Sequence, residues 1–302
     1  MTAPAHDIIG LIEESARQLD AAGVCFGHGT TNAFDEAAWL VLWKLGHPLD
    51  ALDDVAQHTV TPGQAKAVQA LIQQRITTRK PAAYLTGEAW LQGVPFTVDE
   101  RVIVPRSFIA ELIAEGGFDA WLSERTQRVL DLCTGNGSLA VLAAMAWPEV
   151  AVDAADLSRD ALAVARINVD RHGLQDRIHL IESDGLAALP GPYDLVLCNP
   201  PYVNAQSMHA LPPEYRAEPS IALAGGDDGM DFIRKLLHEL PGHLSADGVL
   251  VLEIGNERGH FEAAFPRLQP VWLDTSAGHD QVLLLTREAL LPAGTPPAAR
   301  AP

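Results

Sequence analysis

From Arg128 onward, short apolar runs alternate with stretches of helical period, and few architectures accommodate that pattern. Residues 129–133, 150–157, 178–183, 193–199 and 248–255 read as strands, while 138–146, 160–172 and 231–244 read as helices. A helix between two strands lets the chain return to the same end of the sheet, so the strands run largely parallel with helices on both faces. Residues 270–275 and 281–287 read as a closing antiparallel pair. In open sheets of this kind ligands bind beyond the carboxyl ends of the strands. The polar residues at those ends are therefore the first place to look for chemistry.

The first hundred residues have a different character. Residues 8–19 and 35–45 carry apolar side chains at helical spacing, and Gly46 and Pro48 stop the second run. Thr61-Pro62-Gly63-Gln64 reads as a capping box with proline at the first helical position; the helix it opens carries Val68, Leu71, Ile72 and Ile76 inward. The period then shortens: 89–91, 94–98 and 102–104 read as short strands with turns at Gln92-Gly93 and Asp99-Glu100. The expected organisation is a helical domain over 1–87, a β-hairpin linker over 88–104, a catalytic domain over 105–290, and a disordered Pro/Ala/Gly-rich tail over 291–302.

Composition narrows the class. At 302 residues and 48% hydrophobic content the chain can bury one full core and a smaller one. It has no apolar run near membrane-spanning length and no basic leader followed by an apolar core, which predicts a soluble, cytoplasmic protein. Three dispersed cysteines suit a reducing compartment, and eleven histidines in no ligand-like spacing predict no metal. A net charge of −18 opposes a phosphate backbone and favours a basic partner.

Four successive strand ends carry candidate ligand-binding groups. The first strand holds Asp131 and runs into Thr134-Gly135-Asn136-Gly137, where the glycines let the backbone approach a ligand closely. Residues 135–140 also satisfy a dinucleotide fingerprint, with Asp156 placed to bind a ribose, so a nicotinamide cofactor is a rival. Asp131 argues for S-adenosyl-L-methionine: it would repel a pyrophosphate but can engage a cationic methionine end. Asp156 can then grip both ribose hydroxyls, and Asp184 can accept from the adenine amine. Each aspartate alone also reads as a turn or cap residue. The fourth strand ends in Asn199-Pro200-Pro201-Tyr202. The Asn199 oxygen and the Pro200 carbonyl can both accept from one planar NH₂ group, while Tyr202 offers its ring face. Such a nitrogen is a poor nucleophile, and acceptors that suit its pyramidal transition state would activate it by differential binding. Cys133 and Cys198 sit in apolar runs and read as small buried hydrophobes; His28, in a glycine loop, reads as structural or partner-facing.

With these residues the chain resembles the protein-(glutamine-N5) methyltransferases, over nearly all of its length except the tail. The resemblance implies a class I S-adenosylmethionine-dependent methyltransferase, a Rossmann-like seven-stranded α/β fold, with a helical N-terminal domain that helps recognise a protein substrate. It implies catalysis by Asn199, Pro200 and Tyr202, and cofactor contacts from Asp131, Thr134, Gly135, Gly137, Asp156, Leu157, Asp184 and Asn199. Gly27-His28-Gly29-Thr30, Ala83-Tyr84-Leu85-Thr86, Val104-Pro105-Arg106-Ser107, Glu214-Tyr215 and Glu218-Pro219 resemble the branch that methylates ribosomal protein L-three, a basic substrate. The branch that methylates peptide release factors differs at the Pro105-Arg106-Ser107 turn, and the family usually has proline where this chain has Phe108, a departure that bears on loop shape. The alternatives are a release-factor methyltransferase, an N6-adenine nucleic-acid methyltransferase, which the charge opposes, and an assembly factor that only binds. No direct nucleic-acid substrate and no membrane partner are expected.

Overall fold

The computed structural model describes residues 7–291; the tail expected over 291–302 lies outside them apart from Leu291. The chain begins with α1 (Ile8–Ala21), α2 (Ala33–Leu45), the short α3 (Leu52–Val55), α4 (Pro62–Thr78) and α5 (Ala82–Thr86). Local chemistry sets their starts. Asp7 and Asn32 cap α1 and α2, and Thr61 and Gln64 form the reciprocal capping box of α4. Leu11, Ile12, Leu40, Val68 and Ile72 form the centre of their common core, which continues onto Val98, Val102 and Val104 and onto Ala161 and Val164. The helical unit is therefore packed against the sheet unit by shared apolar burial.

A hairpin of β1 (Glu88–Leu91) and β2 (Val94–Thr97) follows. The third strand expected at 102–104 does not form. Val102 and Val104 are buried, but their backbone groups find other partners. The Val102 N–H closes a turn on the Asp99 carbonyl, the Tyr84 hydroxyl donates to the Val102 carbonyl, and the Val104 N–H donates to Glu218 at 2.9 Å. Apolar alternation reported burial there, and side chains replaced the ladder.

After α6 (Phe108–Glu115), the sheet is built from β3 (Arg128–Leu132), β4 (Ala151–Asp156), β5 (Ile178–Glu182), β6 (Tyr193–Cys198), β7 (Leu244–Glu253), β8 (Val271–Thr275) and β9 (Gly278–Thr286). Its seven strands lie in the order β5-β4-β3-β6-β7-β9-β8, parallel through β7 and antiparallel at the β9-β8 edge. The intervening helices are α7 (Ser138–Ala146), α8 (Arg159–Arg171), α9 (Ala205–Ala210), α10 (Asp231–Glu239), α11 (Arg258–Ala264) and α12 (Arg287–Leu290). Strand residues alternate between two cores. Val129, Leu195, Leu197, Val249 and Val251 pack with α6 and α7, whereas Leu130, Val196, Leu250 and Leu252 pack with α10 and Phe261 of α11. Each fully buried side chain of this size contributes about 1.5–3 kcal/mol.

The sequence expectation of one helix over 231–244 is corrected. Pro241 closes the helix in a 3₁₀ turn, Leu240–Gly242, and β7 starts at Leu244. Chain order reverses between β3 and β6, which opens a crevice at their carboxyl ends. Among the described residues no helix is long and apolar enough to cross a membrane.

Candidate active site

At that crevice a cleft of about 800 Å³, counted out to its mouth, is lined by Leu132, Ala155, Ser183 and Asn199 from the ends of β3, β4, β5 and β6. Gly135, Asp156, Leu157, Asp184 and Pro201 face it as well. Much of its wall is apolar. Leu157 and Ile221 are more than half exposed, an unusual state for such side chains, and with Phe232 they offer surface to a flat ring.

Asp131 is fully buried within β3 and is not among the cleft's lining residues, although Leu132 and Cys133 after it are. One oxygen, Oδ2, accepts from the Thr134 hydroxyl at 2.5 Å and from the Ala140 N–H at 3.0 Å. The other, Oδ1, has no hydrogen-bond partner among the described residues. Burial pushes its carboxyl up to about 7, against the pull of those two donors. Thr134 thus orients Asp131 and does not itself line the cleft. The two glycines also separate: Gly135 faces the cleft at φ +56° with open space where a side chain would stand, whereas a Cβ on Gly137 would press Ala165 of α8 at 3.2 Å.

Asp156 closes β4. Its Oδ2 accepts from the Gly135 N–H at 2.9 Å and its Oδ1 from the Ser158 N–H at 2.8 Å, which leaves further lone pairs on both oxygens. Burial raises its carboxyl. Asp184 lines the cleft, but its carboxylate pairs with Lys235 at 2.8 Å and is largely exposed. The Cys133 thiol is pushed up by a hydrogen bond with Cys198 and by burial, so Cys133 is not primed as a nucleophile.

Asn199 and Pro201 face the cleft, and Pro200 between them is buried. Among the described residues nothing hydrogen-bonds the Asn199 side chain, so its amide oxygen is available to a ligand. Tyr202 turns away from the cleft wall. Its hydroxyl donates to Glu253 at 3.4 Å, and Glu253 also accepts from the Ser107 hydroxyl at 2.6 Å and the Phe108 N–H at 2.9 Å. Sequence reasoning passed over Glu253. Its signal was available: a carboxylate ending an apolar strand, one residue beyond the Cys198–Leu252 register pair, as Asn199 is on β6.

The segment after Tyr202 forms the cleft's outer wall through Pro219, Ile221 and Ala222. Glu214 and Glu218, which sequence alone would place on an acidic surface, are buried. Glu214 accepts from the Cys25 N–H at 3.1 Å, from the fully buried Arg75 at 3.4 Å and from Arg79 at 3.3 Å; Arg75 also binds Glu36 at 2.8 Å. Glu218 takes a two-pronged bond from Arg106 at 2.5 and 2.8 Å. Burial would raise Glu218, but the His28 ring 3.6 Å away and the Arg106 guanidinium hold it down at about 2. His28 is thus an internal residue, its ring tilted 50° against that of Tyr215 with centroids 4.3 Å apart.

Comparison with known proteins gives this geometry a context. The family model for the methyltransferase small domain matches residues 118–211. A Bordetella pertussis protein, the ribosomal protein uL3 glutamine methyltransferase, is 58% identical over 93% of this chain and 95% of its own. Proteins of the same name from Burkholderia pseudomallei and Neisseria meningitidis serogroup B are 51% and 46% identical, each over 93% of this chain and over 95% and 93% of their own lengths. Among solved structures the hMettl16 catalytic domain matches with a TM-score of 0.50 at 13% identity, covering 76% of this chain and 84% of that one, a likeness of fold.

Proposed function

The chain belongs to the ribosomal protein uL3 glutamine methyltransferases, and from that premise we propose that it methylates the side-chain amide nitrogen of a glutamine in uL3, in the cytoplasm, with S-adenosylmethionine as methyl donor. The observation that carries the reading is Asn199: an amide with no hydrogen-bond partner among the described residues, at the lip of the cleft, held between the end of β6 and a pair of prolines.

The residues present fit the donor. The unpartnered Oδ1 of Asp131 suits a cationic group at the cleft floor, and such a group would keep this carboxyl ionised at neutral pH. Asp156 retains lone pairs for two hydroxyls, the open side of Gly135 admits the ligand backbone, and Leu157, Ile221 and Phe232 cover a ring. When bound, S-adenosylmethionine supplies a methyl group activated by its sulfonium charge.

The protein's own task is then to prepare the acceptor nitrogen. An amide nitrogen is flat because its lone pair is delocalised. The Asn199 oxygen and the Pro200 carbonyl accept its two N–H bonds in a geometry that improves as the nitrogen becomes pyramidal, so the interaction is stronger in the transition state than before it. Neither Asn199 nor the prolines can titrate, and the clamp acts by position. Purified enzyme should be given labelled S-adenosylmethionine together with uL3, a peptide release factor and RNA in parallel. Label on uL3 is expected. Preferential label on the release factor would reassign the substrate, and label on RNA alone would overturn the protein-substrate reading.

A further inference from the structure

Glu253 is a buried carboxylate that the clamp chemistry leaves without a role. It ends β7 beside the end of β6, and its side chain is 2% exposed. Its Oε2 is occupied by the Ser107 hydroxyl and the Phe108 N–H at the start of α6, so Oε1 alone faces Tyr202. The Tyr202 ring lies on Gly255, where a Cβ would come within 2.6 Å of it. The three residues 253–255 therefore form a seat for the aromatic member of the clamp: glycine makes room for the ring and the carboxylate holds the hydroxyl. The Pro105-Arg106-Ser107 turn is drawn into the same seat. Arg106, which pairs with Glu218, is the cation that acts on both Glu253 and Tyr202.

We propose that Glu253 is a positioning residue, which through Tyr202 and the Ser107 turn anchors the Asn199-Pro200-Pro201-Tyr202 turn at the cleft, and that it does so in its ionised form. The inference rests on the methyltransferase reading above. An ionised Glu253 can only accept, so the Tyr202 O–H points at Oε1 and the phenol has one orientation. A protonated Glu253 must place its hydrogen on Oε1, because Oε2 already receives two donors. The bond to Tyr202 then reverses: Oε1–H donates to the phenol oxygen, the phenol hydrogen turns elsewhere, and the tether is made in a different orientation. Burial, opposed by the Ser107 and Phe108 bonds and by Arg106, brings this carboxyl up to about 7, which puts the reversal in the working range of pH.

The test uses full-length enzyme, uL3 and S-adenosylmethionine. Glu253→Gln keeps the size and the acceptor for Ser107 but turns an NH₂ group toward Tyr202. Its kcat should fall about tenfold, the size of one misdirected hydrogen bond, while KM for uL3 and the Kd for S-adenosylmethionine stay within about twofold. Tyr202→Phe should lose a similar factor, and the double variant should be no worse than either single one, because both break the same link. The wild-type kcat should rise through an acid limb near pH 7 that is missing in Glu253→Gln. Should Glu253→Gln misfold, loss of that limb in Tyr202→Phe decides alone. Additive losses, or an unchanged kcat and pH profile in the variants, would overturn the positioning role. A wild-type enzyme that labels no uL3 would instead overturn the reading on which it rests.

Discussion

On the proposed reading, Asn199 serves the chemistry and Asp156 the binding of the methyl donor. Asn199→Ala removes an acceptor whose value rises as the nitrogen pyramidalises, so kcat should drop by about two to three orders of magnitude with cofactor affinity nearly unchanged, as a single-turnover assay beside calorimetry would show. Asp156→Ala should do the reverse and weaken S-adenosylmethionine binding by about 1.5–3 kcal/mol, read by calorimetry. Residues of this kind were legible because their chemistry is local: a strand, an abrupt end and a polar group. Glu253 was not, because its partners Ser107 and Tyr202 are distant in sequence and only the β6–β7 register brings them together. Gly137 shows what position in a loop does not reveal. It sits in the expected loop, yet its neighbour is Ala165 of α8.

Among the elements, the strand–helix alternation from β3 to β6 was readable from apolar period, because β3, β4 and β6 are buried along nearly their whole length and only the edge strand β5 is partly exposed. The stretch between β6 and α10 was not. It is held by ions, and no periodicity announces that Glu214 meets Arg75 or that Glu218 meets Arg106. Glu218→Ala leaves Arg106 without its carboxylate and the Val104 N–H without an acceptor, and should lower stability in denaturant unfolding by about 3 kcal/mol. The carboxyls also set a pH dependence of opposing signs. Glu218, held down at about 2, contributes stability that is present above the ordinary carboxylate range and is lost as pH falls through it. Asp131 and Glu253, raised to about 7, are favoured in their neutral form, so their contribution is complete at acid pH and fades as pH rises toward and through 7. Thermal unfolding of the ligand-free enzyme should therefore peak at about pH 4, where the two windows meet. A Tm that climbed steadily from pH 5 to pH 8 would contradict this account of the buried carboxyls.

At the scale of the whole molecule, charge and shape bear on how a protein substrate arrives. The net charge of −18 remains largely on the surface even though Glu36, Glu214 and Glu218 are withdrawn into the interior. A basic ribosomal protein should be steered toward it, so kcat/KM at low substrate should fall by about tenfold between 50 mM and 500 mM salt while kcat changes little. The helical unit adds a groove lined by Phe34, Asp35, Trp39 and Trp90, with Phe34 and Trp90 partly exposed. A docked substrate would find aromatic faces and one acid there. The charge could be counted in the sequence; the groove could not, because its lining is gathered from the Gly29-Thr30 loop, α2, Leu49 and Leu52, and Trp90 of the β1–β2 hairpin. The claim on which the rest depends is that the Asn199 clamp delivers a methyl group to an amide nitrogen. Tandem mass spectrometry of uL3 after incubation with the enzyme and S-adenosylmethionine tests it most directly. The account predicts one added methyl on a glutamine side-chain nitrogen, absent with Asn199→Ala. A methyl on a carboxylate, a lysine or the main chain, or an undiminished product from Asn199→Ala, would contradict it.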